Sequence, residues 1–210
     1  MDVRSDSHFI KFAVRGENHV KLLSEEEYRI ATGKTYLSGL EFEDQKIRER
    51  VRKQCADGLE TGFVGEESKW LGALYAEQLA SHYIAEVSIR WIDETIGYGL
   101  FAEKEMLIGD FIGEYTGVVR KRNLIFKNFN EYCFAYPGSI FNFRKHMIDA
   151  QTKGNELRYA NHGESPNAES MGVVFDNIFH IILRAIKDIP VSAEITYNYW
   201  GSFWFNRRRK

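Results

Sequence analysis

The chain is short of cysteine, has no long apolar run and carries almost no net charge. Its 210 residues include two cysteines, Cys55 and Cys133. Two cysteines make no disulfide framework, and without several histidines at ligand spacing they close no zinc site. The sequence therefore reads as reduced and without a structural metal. No stretch approaches the ~20 consecutive apolar residues that cross a bilayer. The start, Met1-Asp2-Val3-Arg4-Ser5-Asp6, lacks the basic-then-apolar signature of a cleaved signal peptide, which leaves export by another route open. A formal net charge of −2 argues against nucleic-acid binding by bulk charge. With 44% hydrophobic residues, the chain has the means to build a core.

What is abundant is aromatic: 14% of residues, which suits ring-lined channels and a β-rich core equally well. The pattern changes near residue 86. Before it, Ile47, Val51 and Cys55 recur every four positions over 45–55. Leu71, Leu74, Tyr75, Leu79 and Tyr83 mark an amphipathic helix over 69–83. Asp57-Gly58 and Thr61-Gly62 mark a loop between the two. After it come short β-type runs at 87–91, 111–115 and 131–136, the last stopped by Pro137-Gly138. The runs 173–175 and 178–183 flank Asp176-Asn177 as a hairpin with a two-residue turn. The expected class is α+β: a helical region over 1–85, a β-rich domain over 86–200, and an aromatic and basic flank over 201–210. That flank ends in Asn206-Arg207-Arg208-Arg209-Lys210.

Four segments carry candidate chemistry. Gly97-Tyr98-Gly99 lets backbone groups approach a ligand closely, although a GxG between strands is more often a turn. Glu114-Tyr115-Thr116-Gly117 on its own reads as a core tyrosine at a strand end. The third segment crowds polar residues: Ile148-Asp149-Ala150, Gly154-Asn155, Arg158-Tyr159-Ala160-Asn161-His162 and Ser165-Pro166-Asn167. His162 alone reads as a satisfied core histidine, and it has no second ligand at metal spacing. In Glu194-Ile195-Thr196-Tyr197-Asn198-Tyr199-Trp200, Tyr197 and Tyr199 share a face if the segment is a strand.

In this order, GYG, YTG, DAQTKGNELRYANHGESPN and EITYNY resemble the SET-domain lysine methyltransferases, over about 87–200. The resemblance implies a β-rich SET fold whose C-terminal segment threads a preceding loop. It implies S-adenosylmethionine as cofactor and Tyr199 as the catalytic tyrosine. Tyr115 would line the lysine channel, and Tyr197 falls at the position that limits added methyls. Tyr98 and Gly99 would offer backbone contacts to the cofactor, with Tyr132, Arg158, Asn161 and His162 also on its side. Three departures stand out. His162-Gly163-Glu164 lacks the family's cysteine, and no cysteine follows Tyr199, so no zinc-bound lid is expected. Trp200, Phe203, Trp204 and Phe205 are the residues left to close the channel. Asn198 stands where the family has Asp.

Lys69-Trp70-Leu71-Gly72, Ile112 to Gly117, Tyr132-Cys133-Phe134 and Ile178 to Ile189 are also similar to chlamydial SET proteins, regarded as secreted effectors that methylate histones in the host nucleus. This resemblance implies a histone substrate; histone-like DNA-binding proteins in the bacterial cytoplasm are the alternative. The basic tail would touch nucleosomal DNA or stay solvated, no membrane partner is expected, and the N-terminal region would shape substrate access or form a homodimer contact. A SET fold acting as a weakly active binding or adaptor module is the competing reading, and an unrelated β-rich binding protein is a third.

Overall fold

The computed structural model describes residues 8–17, 19–62, 64–122, 130–136 and 146–199. The first part of the chain forms β1 (Ile10–Phe12), β2 (Lys21–Leu23), α1 (Glu25–Thr32), β3 (Thr35–Tyr36), β4 (Glu41–Phe42), α2 (Gln45–Glu60), α3 (Glu66–Leu74) and α4 (Ala76–Ala80). Ser24 starts α1 with a reciprocal capping box to Glu27, and Gly33 stops it in the left-handed region at φ 68°. Asp44 caps α2 through the Ile47 N–H. The periodic residues Ile47, Val51 and Cys55 are its buried face.

Two helix boundaries differ from the sequence reading. Asp57-Gly58 is helical, and the chain turns only at Thr61-Gly62. Gly58 is buried, and a Cβ there would meet Val64 Cγ2 at 2.9 Å. Its bare backbone lets Val64 pack against the helix, although glycine costs roughly 1 kcal/mol inside a helix. The single helix over 69–83 is two helices, α3 and α4, broken at Tyr75 (φ −102°, ψ 20°). There the Tyr75 hydroxyl donates to the Gly109 carbonyl at 2.6 Å, tying the break to the loop just ahead of Phe111.

The rest is β5 (Val87–Asp93), β6 (Gly97–Ala102), β7 (Phe111–Glu114), β8 (Val118–Lys121), β9 (Cys133–Ala135), β10 (His146–Asp149), β11 (Lys153–Gly154), a 3-10 turn at Glu156–Tyr159, β12 (Asn161–His162), β13 (Ala168–Phe175), β14 (Ile178–Ala185) and β15 (Thr196–Tyr197). Asp176 and Asn177 both have positive φ (44° and 60°), the geometry of a hairpin turn matched to strand twist. The strands lie in sheets ordered β2-β1-β5-β6, β4-β8-β10-β9, β11-β3 and β12-β15-β13-β14-β7. Three N-terminal strands run parallel to later ones: β1 to β5, β4 to β8 and β3 to β11. The helical expectation for residues 1–85 missed all four short strands. They are too brief for a two-residue period to show, and residue 86 is no break in the hydrogen-bonded framework.

The feature that positions the site is the place of β15. It lies between β12 and β13 and parallel to both, pairing Asn161 with Thr196, His162 with Tyr197, and Ala168 with Tyr197. The loop 163–167 passes around it. Gly163 N–H donates to the Tyr197 carbonyl at 3.2 Å, and Asn167 N–H donates to the Thr196 carbonyl at 3.2 Å. The Asn167 side chain donates to the Glu194 carbonyl at 2.8 Å and accepts from Thr196 N–H at 2.9 Å. Such threading is rare in general; here it is the arrangement that the motif order implied.

On the far side of β13, α3 packs so closely that a Cβ at Gly72 would stand 1.9 Å from the Val174 carbonyl oxygen. That neighbour is backbone and cannot swing aside. Gly72→Ala should therefore destabilise the protein by about 3 kcal/mol or more despite alanine's better helix propensity, as read from urea unfolding.

Candidate active site

Four rings from three parts of the chain line up behind β15. Tyr115 follows β7, its N–H donating to the Ile181 carbonyl at 2.7 Å. Its hydroxyl donates to the Tyr132 carbonyl at 2.8 Å. The Tyr115 ring meets Phe134 edge-on at 4.5 Å, and Phe134 stacks on Tyr197 at 5.8 Å. Tyr197 in turn lies 4.6 Å from Tyr199, centroid to centroid. Two anchors hold Tyr199. Its hydroxyl donates to the Ala160 carbonyl at 2.8 Å, and its N–H donates to His162 Nδ1 at 3.3 Å. His162 Nδ1 thus acts as an acceptor, which assigns the ring proton to Nε2. The Tyr199 proton is spent on Ala160, so the oxygen presents only lone pairs to anything beside it.

Burial pushes the Tyr115 hydroxyl well above the ordinary tyrosine pKa, and the neighbouring Tyr199 adds to this. Tyr197 is raised for the same two reasons in the same order, with Tyr115 contributing further. These hydroxyls are neutral at any physiological pH, in a wall that disfavours charge of either sign.

The neighbouring residues form a second, polar group. Asn161 donates to the Tyr98 carbonyl at 3.1 Å and to Glu194 Oε1 at 2.9 Å, tying β6 to the segment entering β15. Gly99 lets Ile92 and Glu194 pack close: a Cβ there would come within 2.6 Å of Ile92 Cδ1 and 2.9 Å of Glu194 Oε1, so both side-chain ends would have to shift. The Tyr98 ring turns away from this junction to Phe12, Trp91 and Tyr159, leaving its backbone toward Asn161. Arg158 is 5% exposed. Its guanidinium stacks on Tyr132 at 4.5 Å and Tyr159 at 5.2 Å, and Nη2 donates to the Gln151 carbonyl at 2.9 Å. Its Nε and Nη1 have no acceptor among the described residues. A buried cation with orphaned donors is costly unless an anion meets it. The carboxylate of an amino-acid-bearing cofactor such as S-adenosylmethionine fits that requirement.

The residues expected from the motifs thus fall into two adjoining groups. Tyr115, Tyr197, Tyr199 and His162 come together; Tyr98, Gly99, Tyr132, Arg158 and Asn161 make the polar side. Tyr132 bridges them, its carbonyl on Tyr115 and its ring on Arg158. Trp200, Phe203, Trp204 and Phe205, expected to close the channel, lie outside the described residues, as does the basic tail. The sequence reading missed Phe134, although it sits in the middle of a recognised strand. It also missed Tyr28, whose hydroxyl is 3.0 Å from that of Tyr159 and which no local pattern connects to the site. Among the described residues, no group of three or more His, Cys, Asp and Glu side chains converges as metal ligands would.

Comparison with known proteins places these residues in a recognised domain. Residues 97–200 match the family described as the SET domain. The chain is 32% identical to the variant-silencing SET domain-containing protein of Plasmodium falciparum over 131 residues, 59% of this chain and 5% of that protein. It is 31% identical to human histone-lysine N-methyltransferase 2D over 144 residues, 67% of this chain and 2% of the other. The crystal structure of the Chaetomium thermophilum polycomb repressive complex 2 overlaps 60% of this chain and 16% of the matched chain, with a TM-score of 0.52 and 27% identity. The chain therefore spans only a small fraction of the relatives it matches.

Burial raises the hydroxyl pKa of Tyr28, Tyr36, Tyr136 and Tyr159 as well as Tyr115 and Tyr197. The folded state keeps protons that the unfolded chain releases near pH 10. Stability from this source is complete below that pH and declines as pH rises beyond it. In an ultraviolet titration at pH 11, at least five of the eleven tyrosines (Tyr36, Tyr115, Tyr136, Tyr159 and Tyr197) should stay un-ionised in the folded protein and ionise in denaturant.

Proposed function

We propose that this chain, whose residues 97–200 are a SET domain of the kind found in protein-lysine methyltransferases, is an S-adenosylmethionine-dependent protein-lysine N-methyltransferase. One observation carries the reading: threading of β15 delivers Tyr199 and Tyr197 to the buried Tyr115 and half-buried Phe134, next to the orphaned donors of Arg158.

The bound cofactor supplies an activated methyl group on a sulfonium. The chain must supply alignment, dryness and a neutral amine. A free lysine has pKa ≈ 10.4, so well under about 1% is neutral at pH 7. A ring-lined wall disfavours the ammonium form, so the amine sheds its proton to solvent before transfer. Tyr199, its own proton committed to Ala160, offers lone pairs that accept from the amine and make weak contacts to C–H groups. Holding donor and acceptor in line lowers the barrier by roughly 7–11 kcal/mol in favourable cases. Arg158 would hold the cofactor's carboxylate. Asn161, His162, Tyr132 and the backbone of Tyr98 and Gly99 would complete its surroundings.

Tyr197 would set the number of methyls through the space its hydroxyl occupies. The substrate we favour is a histone, with relatives named histone-lysine N-methyltransferases in support. The finer reading is a secreted bacterial effector acting in the host nucleus. It rests on the chlamydial resemblance around Lys69-Trp70-Leu71-Gly72 and Ile178 to Ile189. Histone-like DNA-binding proteins in the bacterial cytoplasm are its alternative.

With labelled S-adenosylmethionine and mixed histones, the wild type should transfer label, and Tyr199→Phe should lose about 10²-fold or more of the rate while still binding cofactor. Undiminished transfer by the variant would remove Tyr199 from the chemistry; cofactor binding without transfer by the wild type would favour the adaptor reading. Tyr197→Phe should raise the number of methyls per lysine by mass spectrometry. Removing Arg207 to Lys210 should weaken methylation of nucleosomes more than of histone peptides, with the gap closing in high salt.

A further inference from the structure

A second concavity lies behind the channel wall. It is a cleft of about 610 Å³ between the segment 36–42, α2, α4 and the β13–β14 turn. That is a usual size for a small-molecule site. Leu37, Leu40, Leu79 and Ile178 give it aliphatic sides. At its floor are two buried polar side chains, Glu114 at 4% exposure and His180 at 8%. Glu114 ends β7 one position before Tyr115, and successive strand residues take opposite faces. The cleft and the lysine channel therefore lie on opposite sides of the same strand. Both ring nitrogens of His180 face oxygens, Glu114 Oε1 at 2.5 Å and the Phe175 carbonyl at 3.3 Å. His180 has no nitrogen left for a ligand. Glu114 differs: its Oε2 has no donor among the described residues and is not one of the atoms sealed from solvent. A buried carboxylate with an unfilled oxygen is costly unless a donor reaches it. The charges at the rim are already engaged. Glu41 has Lys153 at 2.7 Å, Asp176 has Arg52 at 3.0 Å, and the Arg48 guanidinium lies over the Phe42 ring at 5.8 Å.

We propose that this cleft binds a small organic cation, an ammonium or guanidinium on a short apolar stem, with Glu114 as its anchor. The head group donates to Oε2 in a charge-assisted hydrogen bond, and the stem lies against the leucines. A carboxylate ligand would meet Glu114 as a like charge, and an alcohol would gain the hydrogen bond without the charge. A free amine or guanidine and the end of a lysine or arginine side chain share this chemistry. The site goes beyond the methyltransferase reading and does not depend on it.

Titration of the full chain, followed by methyl NMR, tests this with butylguanidine, butylamine, butanol and butyrate. The two cations should bind at least about tenfold more tightly than butanol, the scale of one charge-assisted hydrogen bond, and butyrate not at all. Their shifts should centre on the methyls of Leu37, Leu40, Leu79 and Ile178. Glu114→Gln, which keeps the side chain's shape, should bring the cations to within about twofold of butanol. If that variant fails to fold, the wild-type ranking and shift map decide alone. A blocked Ala-Arg-Ala peptide that binds as tightly as butylguanidine supports the site with a protein side chain as the source; weaker binding supports it with a free small cation. Equal binding of cations and butanol overturns the proposal. So do shifts confined to the Tyr197–Tyr199 segment, which would place the cations in the lysine channel, and a cation preference that survives Glu114→Gln.

Discussion

The backbone pairing of two residues, Thr196 and Tyr197, with strands on either side governs the site. On one side stand Asn161 and His162; on the other, Ala168. Everything that places Tyr199 comes from this pairing. Its hydroxyl anchor, Ala160, immediately precedes β12, and its N–H anchor is the His162 ring within β12. Asn167 clasps the same segment from the loop, through the Glu194 carbonyl and the Thr196 N–H. Asn161 then binds the entering segment to the glycine-rich start of β6. A ring that would otherwise be one of many becomes positioned to within a hydrogen bond at each end.

The two halves of the site have opposite electrostatics. The half around Tyr115, Phe134 and Tyr197 is neutral and apolar, where a charged amine is disfavoured. The half around Arg158 is a buried cation cushioned by rings on two faces. Between them sits Tyr132, giving its carbonyl to one and its ring to the other. The N-terminal region braces this arrangement: His8 and Tyr36 hold Glu156, and Tyr28 holds Tyr159, both on the turn that carries Arg158. A buried contact between Glu114 Oε1 and His180 Nδ1 at 2.5 Å steadies the end of β7, next to Tyr115.

Motif order disclosed the SET domain because each motif answers a strict local demand. Gly99 lets Ile92 and Glu194 close over it, Asn167 must meet both a carbonyl and an N–H, and Tyr199 has a partner at each end. The hairpin was legible because Asp176-Asn177 suits a turn with two positive φ values. Less was legible where long-range contact decides. Gly58 looks like a loop residue until Val64 is seen against it, and Tyr75 looks like mid-helix until Gly109 claims its hydroxyl. The short N-terminal strands carry too few residues for any period. Tyr28 and Tyr159 stand 131 positions apart, a relation no window of sequence contains.

Threading also has an order in time. Strand β15 pairs with residues about 35 positions earlier, and its place exists only once the chain from β12 to β13 has bent around it, a bend that β15 itself helps to hold. The β13–β14 hairpin closes through a two-residue turn, whereas β15 must close a far longer loop, so by loop-closure cost its pairing forms after the hairpin's. Non-local closure of this kind is slow. During synthesis the loop emerges before the strand that fills it. A nascent chain therefore spends time with Tyr197 and Tyr199 unplaced and the slot beside Ala168 open, the interval in which a strand from another molecule competes most effectively for the same backbone.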